Sequence, residues 1–273
     1  MPATGARPAG AADEADAAHA VRQMFDSIAP RYDLLNHLLS ANIDRLWWRR
    51  TARRFRATLG GPETAILDIC CGTGDLTMAL LKLRPRSARP VLAADFARSM
   101  LRLGARKFGA RKFGDQALRK PGKDCAPYAV PLEADALHLP LRGESLDLIV
   151  TAFGFRNLAN YEAGLREFYR VLKPGGQLGI LEFSEPGGLL GRAYALYFRR
   201  VLPAIGSLIC GKRGAYNYLP VSVAGFPPPK QMVEMMQSAG YVDCSWEPYT
   251  FGIAGLYTAV RAIHPEPLTD NRR

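Results

Sequence analysis

The segment Asp68-Ile69-Cys70-Cys71-Gly72-Thr73-Gly74-Asp75 carries the residue types and spacing that most directly imply chemistry. A short apolar run, Ile66 to Ile69, leads into it, and a helical pattern begins at Asp75, so it reads as a strand-to-helix turn. Gly72 and Gly74, on either side of Thr73, let the backbone approach a ligand where a Cβ would collide. The helix start adds unpaired backbone N–H groups. A dinucleotide turn would place a third glycine at position 77, which is Thr77 here. Asp68 and Asp75 bracket the turn with negative charge, which suits a cation better than a phosphate. The pattern therefore favours S-adenosylmethionine, which bears an ammonium and a sulfonium and no phosphate, over a nicotinamide dinucleotide.

Further acids fall at the ends of the next apolar runs. Asp95 closes Pro90 to Asp95, where doubly wound folds place a carboxylate on ribose hydroxyls. Asp135 follows a third run, Ala129 to Ala134, and is placed to accept an adenine amino group, with the Ala136 N–H facing a ring nitrogen. Ala152, at the end of the fourth run, completes the expected cofactor contacts. Cys70 and Cys71 read as small buried side chains, because adjacent cysteines cannot span ordinary disulfide geometry without strain. His37 and His138 read as packing or surface residues rather than bases, and no Cys/His set has metal spacing, so no metal is expected.

The elements that must position these residues alternate. Strands are expected at 66–69, 90–95, 129–134, 146–151 and 178–182, with helices at 75–83, 99–107 and 161–172 between them. Lys230 to Ala239 reads as a further helix, and Tyr241 to Glu247 and Gly255 to Arg261 as two closing strands. This alternation implies an α/β fold: a Rossmann-like, mostly parallel, seven-stranded sheet with helices on both faces. Residues 1–18, rich in Ala, Gly and Pro, read as a disordered tail. Residues 19–60 read as an N-terminal helical lid broken at Pro30, 61–262 as the main domain, and 263–273 as a C-terminal tail. Two stretches depart from the alternation. A basic insertion near 104–127 repeats Ala-Arg-Lys-Phe-Gly at 105–109 and 110–114 and reads as a duplicated surface loop or helix end. The apolar stretch near 187–229 reads as a substrate or membrane segment, and within it 187–211 carries Arg192, Arg199 and Arg200 on one helical face, the pattern of an interfacial helix.

Composition bounds the setting. The 273 residues hold 36 Lys and Arg against 25 Asp and Glu, a net charge of +11 that favours anionic partners, nucleic acid or a membrane face. The excess is clustered, first in Arg45, Arg49, Arg50, Arg53, Arg54 and Arg56, then from Arg98 to Lys123. No apolar run reaches the roughly 18 residues of a spanning helix, no secretory signal is visible, and five cysteines without regular spacing suit a reducing compartment. The expected location is cytoplasmic.

Three further signatures narrow the reading: Tyr32-Asp33-Leu34-Leu35-Asn36 with Ser40 and Trp47, Phe153-Gly154-Phe155-Arg156-Asn157, and Arg170-Val171-Leu172-Lys173-Pro174-Gly175-Gly176 continuing to Ser184. In these the chain resembles the quinone-biosynthesis C-methyltransferases, over roughly residues 20 to 262. It departs from them at Asp44, at Leu35 and in the longer basic insertion. The resemblance implies methylation of a ring carbon of a polyprenyl quinol, with the Ile28-Ala29-Pro30-Arg31-Tyr32-Asp33 wording closer to the menaquinone branch than to the ubiquinone branch. A ring carbon becomes nucleophilic when the adjacent hydroxyl loses its proton, and a phenol titrates near about 10. Arg156, at the carboxyl edge of strand four, is expected to favour the phenolate, and Asn157 to orient the hydroxyl or a water. The proton would leave through water or a carboxylate such as Asp135. Tyr32 and Asn36 share a helix face, and the resemblance implies that this helix closes over the cofactor and brings Tyr32 near the reaction centre. The expected partners are the quinol and an anionic membrane surface at which the enzyme is peripheral; nucleic acid is not expected, and a homodimer is allowed. An RNA methyltransferase and a non-catalytic membrane-surface adaptor are the competing readings.

Overall fold

A computed structural model describes residues 5–8, 10–39, 42–108, 128–184, 186 and 214–263. The chain opens with three helices, α1 (Glu14–Leu39), α2 (Asp44–Arg54) and α3 (Arg56–Gly60). It then alternates through β1 (Ile66–Ile69), α4 (Asp75–Leu81), β2 (Val91–Asp95), α5 (Arg98–Lys107), β3 (Ala129–Glu133), β4 (Leu146–Ala152), α6 (Tyr161–Val171) and β5 (Leu172–Phe183). Two helices, α7 (Gly214–Ala224) and α8 (Pro229–Ser238), precede the strands β6 (Tyr241–Tyr249) and β7 (Ala254–Arg261).

The seven strands form one sheet in the order β3-β2-β1-β4-β5-β7-β6. Neighbours are parallel from β3 to β5, and β7 runs against both β5 and β6. The expected Rossmann-like sheet is thus present. Strand periodicity explains why both faces are covered. Leu148 and Val150 point to one core and Ile149 to the other, as do Ile66 and Leu67 on β1. One core, centred on Phe155, Leu165 and Phe168, packs α6 and α8; the other packs α2, α3 and α4 through Trp47, Phe55, Leu59 and Leu80. The order reverses between β1 and β4. Crossovers leave that point in opposite directions, and the carboxyl ends of these strands open a crevice.

The amino-terminal end corrects two expectations. Residues 1–18 do not read as disordered where they are described. The Ala6 N–H donates to the Leu158 carbonyl at 2.8 Å, Arg7 Nη1 donates to the Ala159 carbonyl at 2.8 Å, and Ala17 in α1 is fully buried. Small residues permit this close seating: a Cβ at Gly5 would lie 2.0 Å from the Ala159 oxygen. Nor does Pro30 break the helix, since α1 runs 26 residues through it. A proline inside a helix costs about 3 kcal/mol. Packing on α5 offsets it, with Ala29 buried against Ala97 and Met100, and Asp26 Oδ1 accepting from the Ser99 N–H at 3.3 Å.

The interfacial helix expected over 187–211 and the second copy of Ala-Arg-Lys-Phe-Gly lie outside the described residues. The first copy ends α5, consistent with a helix end, but its Phe108 is buried rather than at the surface.

Candidate active site

The turn after β1 is built from left-handed backbone. Cys70, Gly72 and Gly74 have φ of 55°, 55° and 82°. Gly74 cannot be replaced cheaply, because its Cβ would stand 2.0 Å from Phe108 Cε1. Asp95 ties this turn to the end of β2: Oδ2 accepts from the Gly72 N–H and Oδ1 from the Ala97 N–H, both at 2.8 Å. Asp68 is fully buried, and Thr77 Oγ1 donates to its Oδ2 at 2.5 Å. Its Oδ1 is buried with no hydrogen-bond partner among the described residues. Burial pushes the Asp68 carboxyl up to about 7, with the neighbouring Asp95 adding to the effect and Thr77 opposing it. Burial likewise raises Asp95 to about 6, against the two backbone N–H groups it accepts. Cys70 and Cys71 are free thiols, raised well above their ordinary range by burial and by the surrounding carboxylates.

Above this turn lies an open cleft. Its lining includes Asp68, Gly72, Thr73, Asp95, Asp135, Ala136 and Ala152. Gly74 does not line it but carries the turn beneath Phe108. Ala18 and Phe25 of α1 form one wall, where the sequence led us to expect a lid, and Trp48 of α2 contributes from the same helical region. Asp135 accepts from the Leu137 N–H at 2.9 Å and is half exposed, with His138 at 3.5 Å. The electrostatics differ from expectation at one point. Asp75 does not offer a bare charge to the cleft, because Lys107 Nζ sits 3.0 Å from its Oδ1 and 3.2 Å from Thr73 Oγ1. Among the described residues, the carboxyl oxygen at the turn without a partner is Oδ1 of Asp68.

Beside this turn, the end of β4 supplies more of the lining. Phe153, in left-handed backbone with φ of 58°, and Asn157 both line the cleft. Phe153 stacks on Phe183 at 4.3 Å, and the Trp47 ring meets it at 5.8 Å. Asn157 is buried, its Nδ2 donates to the Phe153 carbonyl at 3.4 Å, and its Oδ1 has no partner among the described residues. Arg156 departs from its expected position. Its guanidinium does not line the cleft but forms a buried ion pair, Nη1 to Glu182 Oε1 at 2.9 Å, with further bonds to the Phe153 carbonyl and to Ser222 Oγ at 3.3 Å. A guanidinium taken out of water at a sheet end requires such a counter-charge. Tyr32 falls on α1, but its side chain, like those of Asn36 and His37, lies outside the described residues. Lys107, Phe108 and Glu182 are neighbours of the site that the sequence did not single out, and Thr77, notable there only as standing in place of a third glycine, holds Asp68. Only Glu182, inside the Lys-Pro-Gly-Gly signature, carried a signal.

The residues present fit a cationic nucleoside. A buried carboxylate oxygen without a partner awaits an ammonium, strand-end acids offer acceptors for hydroxyl and amino groups, and glycine backbone admits close approach. Comparison with known proteins agrees. The model of the ubiE/COQ5 methyltransferase family matches residues 12–261. The demethylmenaquinone methyltransferase of Thermus thermophilus is 44% identical over 87% of this chain and 100% of its own, and that of Deinococcus radiodurans 42% identical over 90% and 94%. A ubiquinone/menaquinone biosynthesis C-methyltransferase of Geobacter sulfurreducens is 39% identical over 89% of each chain. Among solved structures, the cyclase SpnF superposes with a TM-score of 0.60 at 16% identity, covering 96% of this chain and 100% of its own. An S-adenosylmethionine-dependent methyltransferase of Thermotoga maritima superposes with a TM-score of 0.56 at 15% identity, covering 88% and 99%. These two likenesses speak to the fold alone. With the cleft, its acids and the extent of the match together, the chain belongs to the ubiE/COQ5 methyltransferase family.

Proposed function

We propose that this chain uses S-adenosylmethionine to methylate a ring carbon of demethylmenaquinol. The observation that carries the reading is the pair of buried oxygens, Asp68 Oδ1 and Asn157 Oδ1, on residues that line one cleft and without a hydrogen-bond partner among the described residues. The first suits the donor's ammonium, the second a phenolic hydroxyl. When bound, S-adenosylmethionine supplies a methyl group already activated on a sulfonium, which leaves as a neutral thioether. The chain's own residues do the rest. Gly72, Thr73, Asp95, Asp135, Ala136 and Ala152 hold the nucleoside, with Asp68 on the ammonium. Asn157 Oδ1 accepts from the quinol hydroxyl and draws electron density from the O–H bond into the ring. The ring proton displaced by the new carbon–carbon bond passes to water. Phe153 offers a planar face to the ring.

Arg156 acts as a positioning residue in this scheme. Through Glu182 and the Phe153 carbonyl it fixes the turn that carries both Phe153 and Asn157. The α1 wall, formed by Ala18 and Phe25, excludes water from the sulfonium. The menaquinone branch is common to the names of all three relatives cited above. The name of the Geobacter relative also covers ubiquinone, which keeps the benzoquinol precursor as the second substrate to test. A polyprenyl tail holds such substrates in the bilayer, so the enzyme works at the inner face of the cell membrane. No helix of the described residues is long and apolar enough to cross it. A methyl-transfer assay offering demethylmenaquinol and the benzoquinol precursor side by side tests the assignment. Transfer to the first supports it, and transfer to neither overturns it.

A further inference from the structure

Helix α2 presents a face made almost entirely of arginine. Arg45, Arg49 and Arg53 follow one another at four-residue spacing, Arg54 and Arg56 flank them, and no acidic residue interrupts the run from Arg45 to Arg56. All five are exposed, and among the described residues none of them pairs with a carboxylate. Five like charges on adjacent turns repel one another and are uneconomical for a surface that meets only water. Two large apolar side chains are exposed on the same segment, Leu46 at 58% and Ile43 at 38%.

A second feature is fastened to the same helix. Between β6 and β7 the chain turns through Thr250 and Phe251, both in left-handed backbone with φ of 45° and 58°. That conformation is unfavourable for β-branched and aromatic residues. The Phe251 side chain it presents is 82% exposed. The turn is fastened to α2, since Trp47 Nε1 donates to Thr250 Oγ1 at 2.8 Å and the Arg50 guanidinium lies 4.3 Å over the Tyr249 ring while pairing with Glu247. The exposed aromatic and the arginine face therefore move as one unit. From that unit aromatic contacts lead inward: Trp47 meets Phe153 at 5.8 Å and Phe183 at 6.1 Å, and Phe153 lines the cleft.

We propose that the α2 arginine face and Phe251 form a single docking surface for an anionic lipid bilayer, seated so that the Trp47–Phe183–Phe153 contacts connect the bilayer to the cleft. The arginines meet lipid phosphates, which accept their forked N–H donors. Phe251, with Leu46 beside the arginines, enters the headgroup boundary. The exposed aliphatic side chains Leu46 and Ile43 beside the arginines offer no face for a base to stack on, which favours a bilayer over a single-stranded nucleic acid. The proposal rests on the quinol reading for its purpose, but its measurement does not need turnover.

The test is co-sedimentation of the full chain with vesicles of phosphatidylcholine containing phosphatidylglycerol, against pure phosphatidylcholine vesicles and an RNA oligonucleotide. Wild type should sediment with the anionic vesicles at low salt and be released as salt rises. Arg49→Gln with Arg53→Gln should weaken vesicle binding about thirtyfold, the worth of two cations near such a surface. Phe251→Asn should weaken it by roughly tenfold or more, and asparagine tolerates the left-handed backbone, so the fold should be retained, as a thermal melt can show. Methyl transfer to a tail-less, water-soluble quinol should be unchanged in both variants, while the rate on vesicle-borne quinol falls. Wild type that stays in the supernatant with anionic vesicles overturns the proposal. So does vesicle binding indifferent to Phe251→Asn, or RNA binding as tight as vesicle binding. Vesicle binding that behaves as expected, with no transfer to any quinol, would instead overturn the function and leave the docking surface standing.

Discussion

The pH dependence of donor binding tests the Asp68 assignment. Burial holds this carboxyl near about 7, so at pH 6 only about a tenth of the protein carries the charge that an ammonium needs, and at pH 7 about half does. Donor affinity should therefore rise about fivefold between pH 6 and pH 7, and less than twofold over the next unit. The donor's own amino group begins to titrate near about 8 and ends the rise. Asp95, raised to about 6, contributes mainly below this window. For the free protein the sign is opposite. A folded-state value above the unfolded one means that the native state keeps a proton the unfolded chain releases. The stability Asp68 contributes is thus complete below about pH 4 and is lost as pH climbs through about 7. Donor binding should restore it, so the donor-induced rise in melting temperature should be larger at pH 7.5 than at pH 5.5. Calorimetric titration in buffers of different ionisation enthalpy should show proton release near pH 7, absent in Asp68→Asn. That variant should bind about tenfold or more weakly, having lost a hydrogen bond to a charge. Thr77→Val, which removes the bond that lowers Asp68, should move the rising limb to higher pH. Affinity that is flat between pH 6 and pH 7, or a slope that survives Asp68→Asn, would refute this reasoning.

Gly74→Ala should destabilise the fold by about 3 kcal/mol, combining left-handed strain with overpacking against Phe108, and urea unfolding would measure it. Asn157→Ala should keep donor affinity by calorimetry while kcat falls about a hundredfold; equal kcat would remove Asn157 from the chemistry. Glu182→Gln should cost about 3 kcal/mol in chemical denaturation, because it strands the Arg156 guanidinium in a site where both side chains are nearly fully buried.

The sheet was legible in the sequence because burial on both faces writes near-continuous apolar runs, Leu146 to Val150 being the plainest. Its edges were less so. Lys173-Pro174-Gly175-Gly176 has turn composition, yet β5 begins at Leu172, since pairing with β4 resumes across a register shift. The cofactor turn was legible because glycine and acid at fixed offsets have local causes. What escaped was long-range. Nothing near Asp75 announces that Lys107, 32 positions away, will neutralise it. Nothing near Arg156 announces Glu182, 26 positions on, as its counter-charge. Pro30 misled for the same reason: its local preference was read correctly, but the packing of α1 on α5 outweighed it.

The fastening of Ala6 and Arg7 to Leu158 and Ala159 sets a condition on synthesis. Ala6 and Arg7 cannot find their seat until Ala159, 152 positions after Arg7, has been made, so the rim beside the cleft closes late. An incomplete chain would have the glycine turn and no finished border around it. A bulky fusion placed directly before residue 5 would press on the same border, at the point where the Ala159 oxygen leaves no room for a side chain.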